Sequence, residues 1–256
     1  MKLFIDADFI TYKACAAAED EIDFSDDVIV VISKFSDVMK NIRSELNRIK
    51  NEFMWDNPEV VLFFSDSTNF RKDIFPDYKG HRNRKKPCGY RRAIKELSNE
   101  YEVIKMKTLE ADDALGIYAT QQPGNIVVSP DKDLRQIPGR LYDLKETVLI
   151  TPEEGMQWHY IQTLAGDQTD GYAGVPGYGV KTAAKLFETN GYNWETVVKA
   201  FESKGMGVAE ALVNARLAKI LQVTDYDFKK QRPILFNPSN ASNGTDNGAA
   251  VQNGAD

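Results

Sequence analysis

Short apolar runs that end in a carboxylate constrain this chain more than any other feature. The runs LFID, VVLFFSD, NIVVSPDKD and YIQTLAGDQTD place Asp6, Asp66, Asp131 with Asp133, and Asp167 with Asp170 after stretches that read as buried strands or a core helix. A fifth group, Glu110, Asp112 and Asp113, opens the small-residue stretch ALGIYA. Each unpaired buried carboxylate is costly, so nine of them at such places call for a neutralising cation. Oxygen donors with no thiolate or imidazole beside them suit hard divalent ions, Mg2+ or Mn2+. Two such ions about 4 Å apart are the usual means of in-line attack on a phosphodiester. The pattern predicts a metal-dependent nuclease.

The runs at 2–6, 60–65 and 125–128 are expected to be strands, with weaker candidates at 102–104 and 141–142. Apolar spacing at three and four over 27–51 predicts one long amphipathic helix that includes Val28, Val31 and Ile32. Alternating strands and helices imply an α/β domain over 1–151, with a mostly parallel sheet and helices on both faces. Ligands in such sheets gather beyond the carboxyl ends of the strands, where Asp6, Asp66 and Asp131 fall. Residues 152–236 read as helical throughout, with helices near 156–165, 180–189, 194–203 and 208–222. The last stretch, 237–256, holds Asn, Gly, Ser and Ala but no cation, and is expected to be a disordered tail. No apolar run approaches the ~18 residues needed to span a bilayer. Asp6 interrupts the N-terminal segment where a signal peptide would be apolar, and Cys15 and Cys88 lack metal-ligand spacing, so a reducing cytoplasm is expected.

The net charge of −6 would disfavour a nucleic-acid partner if it were spread evenly. It is not. Ten Lys and Arg fall between Arg71 and Lys95, against only Asp73 and Asp77. Arg71, Lys72, Lys79, Arg82, Arg84, Lys85 and Lys86 alternate there with Phe70, Phe75 and Tyr78, pairing charge for phosphates with rings for bases. A second DNA-binding candidate is GVPGYGVKTAAK, where Gly177 and Gly179 permit a tight turn between two helices. The backbone of that turn can approach a phosphate directly or through a monovalent cation such as K+, with Lys181, Thr182 and Lys185 adjoining. Asp8 completes an Asp-x-Asp like that of haloacid-dehalogenase phosphatases. Ile10 stands where that motif needs threonine, and Asp8 is expected to cap or lie at the surface.

The order of motifs resembles the 5′-nuclease superfamily of flap endonucleases and polymerase 5′-nuclease domains: a strand-terminal Asp, FSD, F-R-x6-Y-K-x-x-R, EADD, DKD, then GDxxDG feeding GVPGYGVKTA. The stretches FSDSTNFRK, PDYKGHR and WHYIQTLAGDQTDGYAG look most like 5′→3′ exonucleases of short-tailed bacteriophages. The resemblance covers roughly 1–225 and implies a PIN-like core, a basic arch over 70–92 and a helix-hairpin-helix over 166–190. It implies that Asp6, Asp66, Glu110 and Asp112 hold one Mg2+, that Asp131 bridges, and that Asp133, Asp167 and Asp170 hold or tune a second, with Asp113 also in the metal-binding set. Lys79 and Arg82 would clamp the scissile phosphate and Tyr78 would stack near the 5′ end. The expected activity is 5′→3′ hydrolysis of duplex DNA by a monomer, with flaps or RNA–DNA hybrids as further substrates. An inactive DNA-binding accessory protein is the rival expectation.

Overall fold

The computed structural model describes residues 1–82 and 85–241. β1 (Lys2–Asp6) runs straight into α1 (Ala7–Ala16), which leads to a hairpin of β2 (Glu19–Ser25) and β3 (Val28–Ser33) and then to α2 (Phe35–Glu52). β4 (Glu59–Phe63), the one-turn α3 (Arg71–Ile74), α4 (Tyr90–Glu100), β5 (Glu102–Ile104) and α5 (Ala111–Gln121) follow. β6 (Ile126–Val128), β7 (Gly139–Tyr142) and β8 (Thr147–Ile150) complete the main sheet. Its order is β5-β4-β1-β6-β7-β8, parallel throughout except where β8 returns antiparallel to β7.

Side chains alternate across a strand, so a strand buried on both faces must be apolar at every position. That is why the central strands read as unbroken apolar runs. Leu3, Ile5, Leu62, Ile126 and Val128 meet α1, α2 and α4 on one face. Phe4, Val61, Phe63 and Val127 meet α5 on the other.

The helix expected over 27–51 begins only at Phe35. Val38, Met39, Ile42, Leu46 and Ile49 form its buried stripe as the spacing requires. Residues 28–32 instead form β3, because five consecutive β-branched side chains crowd a helical turn and suit a pleated strand. Their apparent helical spacing is a coincidence of an all-apolar run.

α6 (Pro152–Ala165), the short antiparallel pair β9 (Gly166–Asp167) and β10 (Tyr172–Ala173), α7 (Val180–Asn190), α8 (Trp194–Glu202) and α9 (Val208–Ala218) form the helical part. Tyr160, Leu164, Val175, Phe187, Val197 and Phe201 are its core. Two glycine contacts set how it meets the site. A Cβ at Gly155 of α6 would lie 2.5 Å from the Gln136 carbonyl, so α6 rests directly on the turn after β6. A Cβ at Gly174 would lie 2.1 Å from the Leu164 carbonyl, which folds β9 and β10 tightly onto the end of α6. Of the expected tail, Pro238–Ala241 form one helical turn, and residues 242–256 lie outside the described residues. No helix among the described residues is long and apolar enough to cross a membrane.

Candidate active site

The parallel strands carry their following residues to one edge of the sheet, and a cavity of about 620 Å3 opens there. Asp6 ends β1, Asp8 lies in the first turn of α1, and Glu110 and Asp112 stand at the start of α5. Asp131 and Asp133 follow β6, and Asp167 and Asp170 sit on the β9–β10 turn. These eight carboxylates share the lining with Lys79, Arg82, Lys86 and Lys132.

The cations are not spread evenly among them. On one side, the Tyr78 hydroxyl lies 3.0 Å from Glu110 Oε2 and 2.7 Å from Asp170 Oδ2. Lys79 forms a close ion pair with Glu110 and lies 3.5 Å from Asp170, and Arg82 pairs with Asp170 at 2.7 Å. The Lys79 backbone takes a left-handed conformation (φ 54°), uncommon outside glycine, and its N–H donates to the Asp170 carbonyl at 2.7 Å. Burial alone would raise Glu110, but the Lys79 ammonium and the Arg71 guanidinium prevail and hold it below its ordinary range.

On the other side, among the described residues, no ammonium or guanidinium forms an ion pair with Asp6, Asp112, Asp131 or Asp133. Burial and the neighbouring charge of Asp8 push Asp6 up to about 6, although Ser129 Oγ donates to it at 3.0 Å. Burial, with Asp6 and Asp131 alongside, pushes Asp112 well above its usual value. Burial and the charges of Asp131 and Asp167 push Asp133 up to about 7. This half of the cavity is short of positive charge.

Seven of the nine carboxylates singled out in the sequence therefore share one cavity, and two do not. Asp66 accepts from the Thr108 backbone N–H at 3.0 Å and from Thr68 Oγ1 at 2.8 Å, with Lys105 at 3.3 Å, and these donors hold it far below the usual range. Ser65, its neighbour, lines the cavity instead, because successive side chains leaving a strand point opposite ways. Asp113 is fully buried and pairs with Arg71 through two hydrogen bonds of 2.6 and 2.8 Å. Arg71 is itself only 3 % exposed and also donates to the Leu217 and Lys219 carbonyls. The expected DNA contact at Arg71 and metal contact at Asp113 are thus replaced by an internal clamp joining α3, α5 and the end of α9. Tyr78 is corrected too: it is 2 % exposed and its ring stacks on Tyr172, so no face is open to a base.

Lys72 and Lys85 are exposed, Lys86 lies over the Tyr90 ring at 4.5 Å, and Arg84 falls outside the described residues. Gly177 (φ 88°) and Gly179 open α7, and a Cβ on either would meet open space. Lys181, Thr182 and Lys185 are exposed on α7, whose first residue, Val180, reaches the cavity wall. Sequence reasoning missed Asp8, which accepts from the Ser65 N–H at 2.9 Å and from the Tyr90 hydroxyl. Its only sequence signal was its place two residues after Asp6. The partners that hold it come from the loop after β4 and from α4, far along the chain.

Among the described residues, no three carboxylates yet converge as ligands of one ion. The donor set nonetheless fits a hard divalent ion, being all oxygen, crowded and under-neutralised on the Asp6–Asp112–Asp131–Asp133 side.

Residues 1–160 match the family described as 5′-3′ exonuclease, N-terminal resolvase-like domain. The exodeoxyribonuclease of Enterobacteria phage T3 is 27% identical over 92% of this chain and 92% of its own length. The exonuclease of Escherichia phage T7 is 31% identical over 81% of this chain and 74% of its own. The fold is also that of T5 5′-exonuclease with divalent zinc ions bound, at a TM-score of 0.61 and 14% identity, over 85% of this chain and 88% of that one. The carboxylate-lined cavity thus sits in a chain that belongs to the 5′-3′ exonuclease family.

Proposed function

We propose that this chain is a divalent-ion-dependent 5′→3′ exodeoxyribonuclease that hydrolyses duplex DNA from 5′ termini and leaves 5′-phosphates. The observation that carries the reading is the uneven cavity, anionic and unpaired on one side and supplied with Lys79 and Arg82 on the other. Mg2+, with Mn2+ able to replace it, would be held by Asp6, Asp112, Asp131 and Asp133, with Glu110, Asp167 and Asp170 serving a second ion. Bound there, the ions supply Lewis acidity for attack of water on phosphorus.

The chain's own residues prepare the rest. Lys79, paired with Glu110, and Arg82, paired with Asp170 and 43% exposed in its side chain, stand at the cavity wall within reach of a phosphate placed there. Both stabilise charge that grows on the phosphate. Tyr78 does not touch the substrate; its hydroxyl fixes Glu110 and Asp170 relative to one another. Lys181, Thr182 and Lys185 grip the duplex backbone next to the cavity, and the Gly177–Gly179 turn would hold a K+ that adds charge against a phosphate. Lys72, Arg84, Lys85 and Lys86 guide the terminal strand. Flaps and RNA–DNA hybrids, which also present a 5′ end, are further substrates. The place of action is the cytoplasm of a host cell.

A linear duplex labelled at one 5′ end, beside the same duplex labelled at the 3′ end, tests the polarity. The 5′ label should be released early while the 3′ label stays on long fragments. Early 3′ release, or equal cutting of covalently closed circles, overturns the reading.

A further inference from the structure

The chain after α9 carries a basic surface that neither the cavity nor the turn at Gly177 uses. β11 (Tyr226–Asp227) and β12 (Arg232–Pro233) form a short antiparallel hairpin. Phe228, Lys229, Lys230 and Gln231 make its tip, and Lys229, Lys230 and Arg232 are all exposed. Asp227 Oδ1 accepts the Lys229 and Lys230 N–H groups at 3.0 Å each, which fixes the turn, and the Ile234 N–H donates to the Asp225 carbonyl at 2.8 Å. Tyr226 anchors the hairpin, buried in one cluster with Phe70, Leu109, Ile117 and Leu221. Phe228 sets its ring edge-on to Tyr226, with centroids 5.1 Å apart, and is still 46% exposed. A ring held in place yet nearly half open beside three cations offers stacking and charge together.

The same small core brings two more cations alongside. Met106 packs against it, and its neighbours Lys105 and Lys107 are exposed. Lys105 lies 3.3 Å from Asp66, whose neighbour Ser65 lines the cavity, so the basic surface begins at the cavity rim. β4 and β5, which lead to Asp66 and Lys105, stand on one side of β1 in the sheet; β6, which leads to the turn beneath α6, stands on the other. Lys105 pairs with Asp66 and Lys230 with Asp227 at 3.8 Å, whereas Lys107, Lys229 and Arg232 form no ion pair among the described residues.

Cations without a counter-ion attract phosphates, and the open ring decides which kind of strand they suit. In a duplex the base faces are covered by their neighbours, whereas an unpaired strand offers them to a side chain. Hydrolysis of one strand from its 5′ end leaves the complement unpaired beside the cavity. We propose that the β11–β12 hairpin, with Lys105 and Lys107, binds this unpaired complementary strand, a base stacking on Phe228 while Lys229, Lys230 and Arg232 hold its phosphates. The inference rests on the 5′→3′ reading above, since that polarity is what leaves a 3′-tailed complement. The surface keeps the chain on a partly digested duplex between one cut and the next.

Fluorescence anisotropy in excess EDTA reads binding without cleavage on three labelled duplexes: blunt, with a 3′ tail of about 15 nucleotides, and with a 5′ tail of the same length. The wild type should bind the 3′-tailed duplex roughly tenfold tighter than the blunt one, and log K should fall more steeply with salt by about 0.7 for each added phosphate contact. Lys229→Glu with Lys230→Glu should abolish the gain. Phe228→Ala should lose most of it and Phe228→Tyr, which keeps a ring, should retain it. In all three variants Tm, blunt-duplex affinity and release of the first 5′ label should match the wild type. No gain from the 3′ tail, an equal gain from the 5′ tail, or a gain that survives both the charge reversal and Phe228→Ala overturns the proposal. Because no cleavage enters the measurement, such a result beside early 5′ release sinks this site alone, whereas early 3′ release sinks the reading beneath it.

Discussion

Replacing Asp113 with Ala should unfold the protein at a much lower temperature without acting through a metal. In the fold Asp113 is fully buried, accepts both hydrogen bonds from Arg71, and accepts the Leu221 backbone N–H at 3.2 Å. The substitution leaves a guanidinium that is 3 % exposed facing two carbonyls and Glu110, 3.6 Å away. Removing one partner of a buried pair costs about 3–5 kcal/mol, because the other charge stays in low dielectric uncompensated. For a chain of this size each kcal/mol moves Tm by roughly 2–4 °C, so the fall should lie between about 6 and 20 °C. The assay is thermal unfolding in excess EDTA, which removes any contribution from bound ions. Replacing the pair together, Arg71→Met with Asp113→Leu, should recover much of the loss, since apolar residues of similar volume serve such sites well. A fall below about 2 °C in EDTA, joined to weaker Mn2+ binding, would refute the reasoning and return Asp113 to the ligand set.

Lys79→Ala should slow cleavage far more than it weakens duplex binding, whereas Lys181→Ala should weaken binding and flatten the salt dependence of log K by about 0.9; equal effects on both quantities would contradict the division of labour. Tyr78→Phe keeps the ring against Tyr172 but removes the hydroxyl between Glu110 and Asp170, so Mn2+ affinity read by paramagnetic resonance should fall roughly tenfold with Tm little changed. Without divalent ions, Asp6 and Asp133 are raised to about 6 and about 7, so the folded chain binds more protons than the unfolded one. Their stabilising protons are in place below pH 4 and are lost as pH rises toward 7; the decline in Tm over that window should shrink in Asp133→Asn and on adding Mg2+, and an unchanged slope in both would count against the crowding.

Much of this architecture is written in local sequence. The strands at 2–6 and 126–128 are legible because burial on both faces demands unbroken apolar runs, and the carboxylates that follow them fall where such sheets place ligands. The helices after residue 151 are legible from their periodicity, but the first begins at Pro152 rather than near 156, α9 stops at Ala218, and the β9–β10 pair interrupts the stretch read as helical throughout. What stayed hidden depends on long-range pairing. Arg71 reads as one more cation in a basic stretch, and only the arrival of Asp113 and the end of α9 turns it inward. Asp66 and Ser65 could exchange roles on sequence alone, since the one-residue choice of face is set by how the chain leaves β4. The β3 run fits a helix stripe by spacing, and its β-branched side chains together with the pairing to β2 make it a strand.

The central claim is that the unpaired half of the cavity works by holding a divalent ion. Release of a 5′ label from linear duplex, followed against Mg2+ concentration for the wild type and Asp131→Asn, tests it most directly. Asp131 lies beside Asp6, Asp112 and Asp133 on the under-neutralised side. The wild type should show saturable dependence on Mg2+ and no release in excess EDTA, and the variant should fall by roughly a hundredfold or more, about 2.7 kcal/mol of barrier. Release by Asp131→Asn within about tenfold of the wild type, or wild-type release that survives EDTA, would contradict the account.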